Sequence, residues 1–173
     1  ILPTPAIGGV GLMQDHAKMA TIGFKAEGHA ILVLGGNPLA ALNDDKTIGE
    51  FGSAISQSLW LREIHGIEAG SPPSVDLVRE RRNGEFVRAL IDAGRVTAVH
   101  DVSDGGVAVA IAEMALASGI GAEVASMGRP VLDAFAEDQG RYVITMPWDD
   151  RESWAAFESE ARTAEVAASW IGF

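Results

Sequence analysis

Five apolar residues in succession, Ala30-Ile31-Leu32-Val33-Leu34, restrict the architecture more than any other stretch of this chain. The run has no polar alternation and is too short for a buried helix, so it predicts a strand covered on both faces. Gly35-Gly36-Asn37-Pro38 ends it. A strand of this kind needs helices packed on its sheet.

The chain supplies them. Residues 51–65 carry Phe51, Ile55, Leu59 and Ile64 along one side of a helix, and Gly66 stops it. After the breaker cluster Gly70-Ser71-Pro72-Pro73-Ser74, residues 75–93 read as a long amphipathic helix closed by Gly94. Its Arg79-Glu80-Arg81-Arg82 run reads as a solvated charged face. Residues 96–99 form an apolar strand, and 105–117 an alanine-rich helix ended by Ser118-Gly119. Residues 120–124 are a short strand, and 127–135 a connection with one helical turn. Tyr142-Val143-Ile144-Thr145-Met146 is a clear strand broken by Pro147. Asp149 or Asp150 caps a helix to about residue 162, and 166–173 return as a last strand.

The N-terminal part is less regular. Pro3 and Pro5 set an extended entry. Residues 6–13 read as a strand through Ile7, Val10 and Leu12, with Gly8, Gly9 and Gly11 suggesting close packing against another backbone. Residues 14–28 are a polar connection, and 39–49 fit a helical turn or a loop equally. Two strands thus come first without an intervening helix. The expected fold is α+β, a three-layer α/β/α arrangement with a mixed sheet, as a single domain over residues 1–173.

Two polar clusters stand at strand ends. His100-Asp101-Val102-Ser103-Asp104-Gly105-Gly106 links a strand to a helix, and Glu137-Asp138-Gln139-Gly140-Arg141 precedes one. In the first, a helix N-terminus with small side chains suits an anionic ligand. Asp101 and Asp104 can instead hold a hydrated Mg²⁺ that carries phosphate oxygens. The plain alternative is a capped helix start, with Ser103 or Asp104 as N-cap and the glycines allowing close helix–strand packing. Glu137 and Asp101 can share a cation if their strands are neighbours; otherwise Glu137 pairs with Arg141 at a turn. Ser103, His100 and Asp101 are too nearly contiguous for a nucleophile–histidine–acid triad. The four histidines lack metal-ligand spacing, and neither a phosphate-binding Gly-x-x-x-x-Gly-Lys loop nor a dinucleotide fingerprint occurs.

The net charge of −11 and the lack of a basic run argue against a nucleic-acid surface. No apolar stretch approaches the length of a membrane span. With no cysteine, disulfides and thiolate metal sites are excluded, and a cytosolic setting is permitted. An anionic substrate would need local dipoles or a metal, because the global field repels it. Both termini, Ile1-Leu2-Pro3 and Trp170-Ile171-Gly172-Phe173, read like cuts through a longer chain.

Taken together, the motifs resemble a specific family. Val99-His100-Asp101-Val102-Ser103-Asp104-Gly105-Gly106-Val107-Ala108 is similar to the "HDVSDGGLA" signature of phosphoribosylformylglycinamidine synthase. Leu61-Arg62-Glu63-Ile64-His65-Gly66, followed by Gly70-Ser71-Pro72-Pro73-Ser74-Val75-Asp76-Leu77, resembles its "L-x-x-I-H-G…G-x-P-P-x-V-D-L" stretch. Pro3-Thr4-Pro5 with Gly9-Val10-Gly11-Leu12 resembles the strand entering its C-terminal domain, and Glu137-Asp138-Gln139-Gly140-Arg141 its "E-x-Q-x-R" turn. The resemblance covers nearly the whole chain, with four motifs in order.

The resemblance implies an ATP-dependent ligase of de novo purine biosynthesis. It converts formylglycinamide ribonucleotide, glutamine and ATP to the amidine. It also implies partners: the remaining domains of the same synthetase, a glutaminase subunit and a small bridging subunit, in the cytoplasm, with no nucleic acid or membrane. The chain is similar to the C-terminal domain of the second half of that synthetase. The family's catalytic histidine lies in the N-terminal domains, so no catalytic residue is expected here. The implied nucleotide- and substrate-binding set is Asp101, Ser103, Gly105, Gly106, Glu137 and Gln139. Asp101 is the implied metal ligand, with Mg²⁺ and ATP, or an auxiliary ADP, as the implied ligands. Two competing readings remain: a sibling of the same ATP-dependent superfamily, and a purely structural docking module.

Overall fold

The computed structural model describes residues 7–13, 15–35, 55–125, 130–148 and 151–173. In chain order they form β1 (Ala30–Leu34), a π-helical turn (Trp60–Ile64), α1 (Leu77–Asp92), β2 (Ala98–Asp101), α2 (Gly106–Ser118), α3 (Pro130–Phe135), β3 (Tyr142–Met146), α4 (Arg151–Thr163) and β4 (Ala168–Gly172). The expectations for residues 1–6, 36–54, 126–129 and 149–150 fall outside the described residues.

The apolar run does form a strand with every residue buried. It sits inside a sheet of order β2-β3-β1-β4. Its odd and even side chains go to opposite cores, as the two-residue period of a strand requires. Ile31 and Val33 join Ala98, Val143 and Ile171 beneath Val107, Ala110, Ile111 and Met114 of α2. Ala30, Leu32, Leu34 and Ile144 pack instead with Val87 and Leu90 of α1 and Phe157 of α4. One helical layer is therefore α2, with α3 against it, and the other is α1 with α4. The fold is α+β in three layers.

All three strand pairs are antiparallel. Among the described residues the sheet is mixed only through an isolated parallel bridge between Thr21 and Ala98, where the Val99 N–H donates to the Thr21 carbonyl at 3.2 Å. The register puts Asp101 opposite Tyr142, Tyr142 opposite Leu34, and Leu34 opposite Ala168. The C-terminal end of β2 and the N-terminal start of β3 thus meet at one edge of the sheet, and this brings the two polar clusters together.

Three local expectations need correction. Residues 7–13 form no strand: Ile7, Val10 and Leu12 are almost fully exposed, and a Cβ at Gly8, Gly9 or Gly11 would meet nothing within 4 Å. No other described backbone lies against them, so there is no ladder to hold a glycine-rich segment extended. The expected helix is interrupted: Ile55 is helical, Ser56 and Gln57 form a turn with Gln57 at φ +61°, and winding resumes at Leu59 into the π turn. The Leu59 N–H donates to Glu137 across the fold rather than to a helical carbonyl. Gly66 ends this turn at φ +64°, as expected. Of 120–124 only the end pairs as expected: Val124 bridges Gly172 antiparallel and Glu123 exchanges backbone hydrogen bonds with Phe173, on the outer edge of β4.

Asp76 starts α1. It is extended at φ −111° and its Oδ1 accepts the N–H groups of Val78 and Arg79, both at 3.0 Å, leaving Val75 outside the helix. The Arg79 amide, more than any other group, holds the Asp76 carboxyl below the usual carboxylate range. A depressed folded-state pKa stabilises above the unfolded value, about 4, and that contribution is lost as the pH falls through the folded one. Asparagine caps as well as aspartate but does not titrate. Urea denaturation is therefore expected to show the wild type more stable than Asp76→Asn at pH 7, with the gap closing below about pH 4.

Candidate functional site

β2 delivers Asp101 to the sheet edge with 69% of its side chain exposed. The ladder runs one residue further, the Val102 N–H donating to the Arg141 carbonyl at 2.9 Å. The chain then reverses into α2 through Gly105 (φ +80°) and Gly106 (φ +71°), both left-handed. A Cβ on Gly105 would collide with the Val109 side chain. One on Gly106 would lie 2.7 Å from the Ala134 carbonyl and 2.8 Å from Phe135 Cα. Gly106 therefore allows the helix to start directly against the end of α3, while Gly105 makes room for Val109 of the helix itself.

Neither Ser103 nor Asp104 caps α2, contrary to expectation. Gly105 occupies the cap position and no side chain of the turn bonds there. Its N–H donates to Glu137 Oε1 at 2.8 Å, and the Gly106 N–H turns back to the Ser103 carbonyl at 3.0 Å. The first donors of the helix are committed inside the protein, and the open anion cradle expected at this terminus is reduced.

A cleft of about 370 Å³ opens at the sheet edge. It brings together Asp101, Ser103, Glu137 and Gln139 from the expected set, while Gly105 and Gly106 do not line it. Glu80, Asp104 and Tyr142 also line it. Glu80 belongs to the charged run that reads as a solvated face. The Asp76 cap is its only sequence signal, since a helix starting there puts Glu80 one turn later on the same side. Burial and the nearby Glu80 and Asp101 charges push the Tyr142 phenol upward, so it stays a neutral hydroxyl.

Glu137 does not pair with Arg141. Arg141, 5% exposed, has Nη2 2.8 Å from Asp138 Oδ1 and donates from the same nitrogen to the Ala136 carbonyl. Burial lowers its pKa, and Asp138 and Asp133 oppose that shift. The cation therefore stitches residues 136–138 into a fixed loop. His100 turns to α2, with Nε2 2.8 Å from Glu113 Oε2 and Nδ1 3.4 Å from Asp101 Oδ1.

The cleft is acidic: Glu80, Asp101, Asp104 and Glu137 face it, against one arginine already committed to Asp138. Among the described residues, no three His, Cys, Asp or Glu side chains converge as a metal-binding group. Such a wall repels bare phosphate. It suits a divalent cation that arrives with phosphate oxygens and water as most of its ligands, the way Mg²⁺ is usually held by one or two carboxylates.

A family model for "AIR synthase related protein, C-terminal domain" matches residues 26–172. A phosphoribosylformylglycinamidine synthase subunit PurL from Mesorhizobium japonicum is 46% identical over 175 residues, covering 99% of this chain and 22% of the relative. The PurL of Novosphingobium aromaticivorans is 54% identical over 145 residues, 84% of this chain and 18% of its own length. The chain thus spans about a fifth of these relatives. Among solved structures, Thermotoga maritima PurL complexed with FGAR superposes at a TM-score of 0.63 with 18% identity, over 91% of this chain and 25% of that one. The same protein complexed with ATP superposes at 0.60 with 16% identity, over 91% and 23%. These likenesses show the fold, and the family match covers both strand-end clusters: the chain belongs to the family of AIR synthase related C-terminal domains.

Proposed function

We propose that this chain is the C-terminal domain, residues 1–173, of the second half of a phosphoribosylformylglycinamidine synthase synthetase subunit, and that its cleft holds a Mg²⁺-complexed adenine nucleotide. The observation that carries the reading is the meeting of Asp101, Ser103 and Gln139 in one acidic cleft. Relatives at 46–54% identity bear that enzyme's name, and Thermotoga maritima PurL has been solved complexed with ATP, ADP, AMPPCP and FGAR. Asp101 would hold Mg²⁺, which neutralises phosphate charge when bound. Ser103 and Gln139 supply neutral donors, and the Tyr142 hydroxyl is a further one.

The whole enzyme would join glutamine-derived ammonia to formylglycinamide ribonucleotide at the expense of ATP. Its catalytic residues lie outside this chain, which contributes a binding wall. A PurLQS assembly of Thermotoga maritima superposes on this chain at a TM-score of 0.62. We propose as partners of this domain the remaining synthetase domains, a glutaminase subunit and a small bridging subunit, a reading that the multi-subunit name of that assembly supports. The cytoplasm is the proposed setting; no helix among the described residues is long and apolar enough to cross a membrane.

Calorimetric titration of the intact synthetase with Mg-ADP tests the site. Asp101→Ala is expected to weaken binding at this cleft at least about tenfold, since about 1.4 kcal/mol corresponds to each factor of ten. An unchanged affinity would remove Asp101 and the cleft from nucleotide binding.

A further inference from the structure

Glu137 stands in the cleft wall, yet one oxygen of its carboxylate is engaged elsewhere. A single oxygen, Oε1, accepts the Gly105 N–H and the Leu59 N–H, each at 2.8 Å. The donors come from segments 32 and 78 residues away in sequence. Each is a backbone N–H at the start of a helical segment, where the first donors have no partner within the helix. An ionised carboxylate is a strong acceptor for such groups. The acid itself cannot drift, because Arg141 fixes residues 136–138 on either side of it through Asp138 and the Ala136 carbonyl. The π turn is held a second time next to that loop, by Trp60 stacked on Phe135 at the end of α3, 4.3 Å between ring centroids.

We infer that Glu137 is a positioning residue of the nucleotide cleft. It holds the Ser103–Gly105 turn and the Trp60–Ile64 turn in register through one shared oxygen, and does not itself ligate the metal. The inference rests on the nucleotide reading above and deepens it: the acid that resembles a cation ligand in sequence sets the place of Ser103.

Acceptor geometry and negative charge can be separated. Glutamine in place of Glu137 keeps a carbonyl oxygen able to accept both N–H groups but removes the negative charge that a carboxylate brings to a cation; alanine keeps neither. The experiment takes Glu137→Gln and Glu137→Ala in the intact synthetase. It reads the Mg-ADP Kd together with amide hydrogen exchange in peptides covering residues 58–62 and 103–108. In Glu137→Ala the Kd is expected to rise roughly tenfold, in line with losing hydrogen bonds to a charged group, and both peptides should exchange faster. In Glu137→Gln both peptides should stay protected and most of the affinity should return. If Glu137→Gln binds as weakly as Glu137→Ala while its peptides remain protected, the charge is the functional feature and the inference is wrong. Should Glu137→Ala fail to fold, Glu137→Gln measured against the wild type still separates the two: protected peptides with a tenfold weaker Kd would overturn the inference. A wild type without Mg-ADP binding at the cleft overturns the nucleotide reading instead, and unchanged exchange in Glu137→Ala overturns the positioning claim independently.

Discussion

Gly106→Ala is expected to lower the stability of the domain by about 3 kcal/mol. Two costs add. A left-handed backbone at φ +71° costs an L-residue about 1–2 kcal/mol. The new methyl would also lie within 2.8 Å of three backbone atoms, the Ala134 and Ala136 carbonyl oxygens and Phe135 Cα, and overpacking of this kind costs about 1–3 kcal/mol. Backbone cannot move aside as the end of a flexible side chain can. Gly119→Ala is the internal reference: it is left-handed too, at φ +74°, but its Cβ would meet nothing within 4 Å. Urea denaturation of both variants should therefore show Gly119→Ala losing only the backbone part, about 1 kcal/mol. Equal losses would mean that the α2–α3 approach is not tight.

Arg141→Met carries the second large effect, a loss of about 3 kcal/mol, at the low end for breaking a buried ion pair. The substitution leaves the Ala136 carbonyl without its donor and Asp138, 23% exposed, without its cation. The adjoining Asp138→Asn change removes the stranded charge, so the double variant should recover part of the loss in a thermal or urea melt. A double variant as unstable as the sum of the two single changes would contradict the pairing. Because the loop from Ala136 to Asp138 carries Glu137, Arg141→Met should also speed amide exchange at Gly105, whose N–H Glu137 accepts.

The same residues show why the sequence is legible in some places and not in others. Ala30–Leu34 is readable because five apolar residues in a row leave a strand with both faces buried as the economical solution. Asp76 is not singled out as the start of α1, since the apolar period extends to Val75 and the Asp76 side-chain bonds are a matter of where the chain bends. At the central turn the glycines point to a close helix–strand approach; a close approach is there, but Gly106 makes it to the end of α3 and Ala136 rather than to a strand. The cap is a different matter: Ser103 and Asp104 are good cap types in the right neighbourhood, but the acceptor comes from Glu137, 32 residues later. Local rules rank only local candidates.

Residues 7–13 show the converse. Their pattern of Ile7, Val10 and Leu12 is that of a strand, but a pattern names only which residues would face a core, and these side chains have none among the described residues.

The amino-acid sequence by itself determined the layers, the turn glycines and the identity of the two polar clusters, because burial periodicity and backbone restriction act over a few residues. Only the tertiary structure decided that the clusters share a cleft, that Glu80 joins them, and that Glu137 is committed to two amides. Those facts follow from the antiparallel register of β2 on β3, Asp101 against Tyr142, which no short-range rule sets.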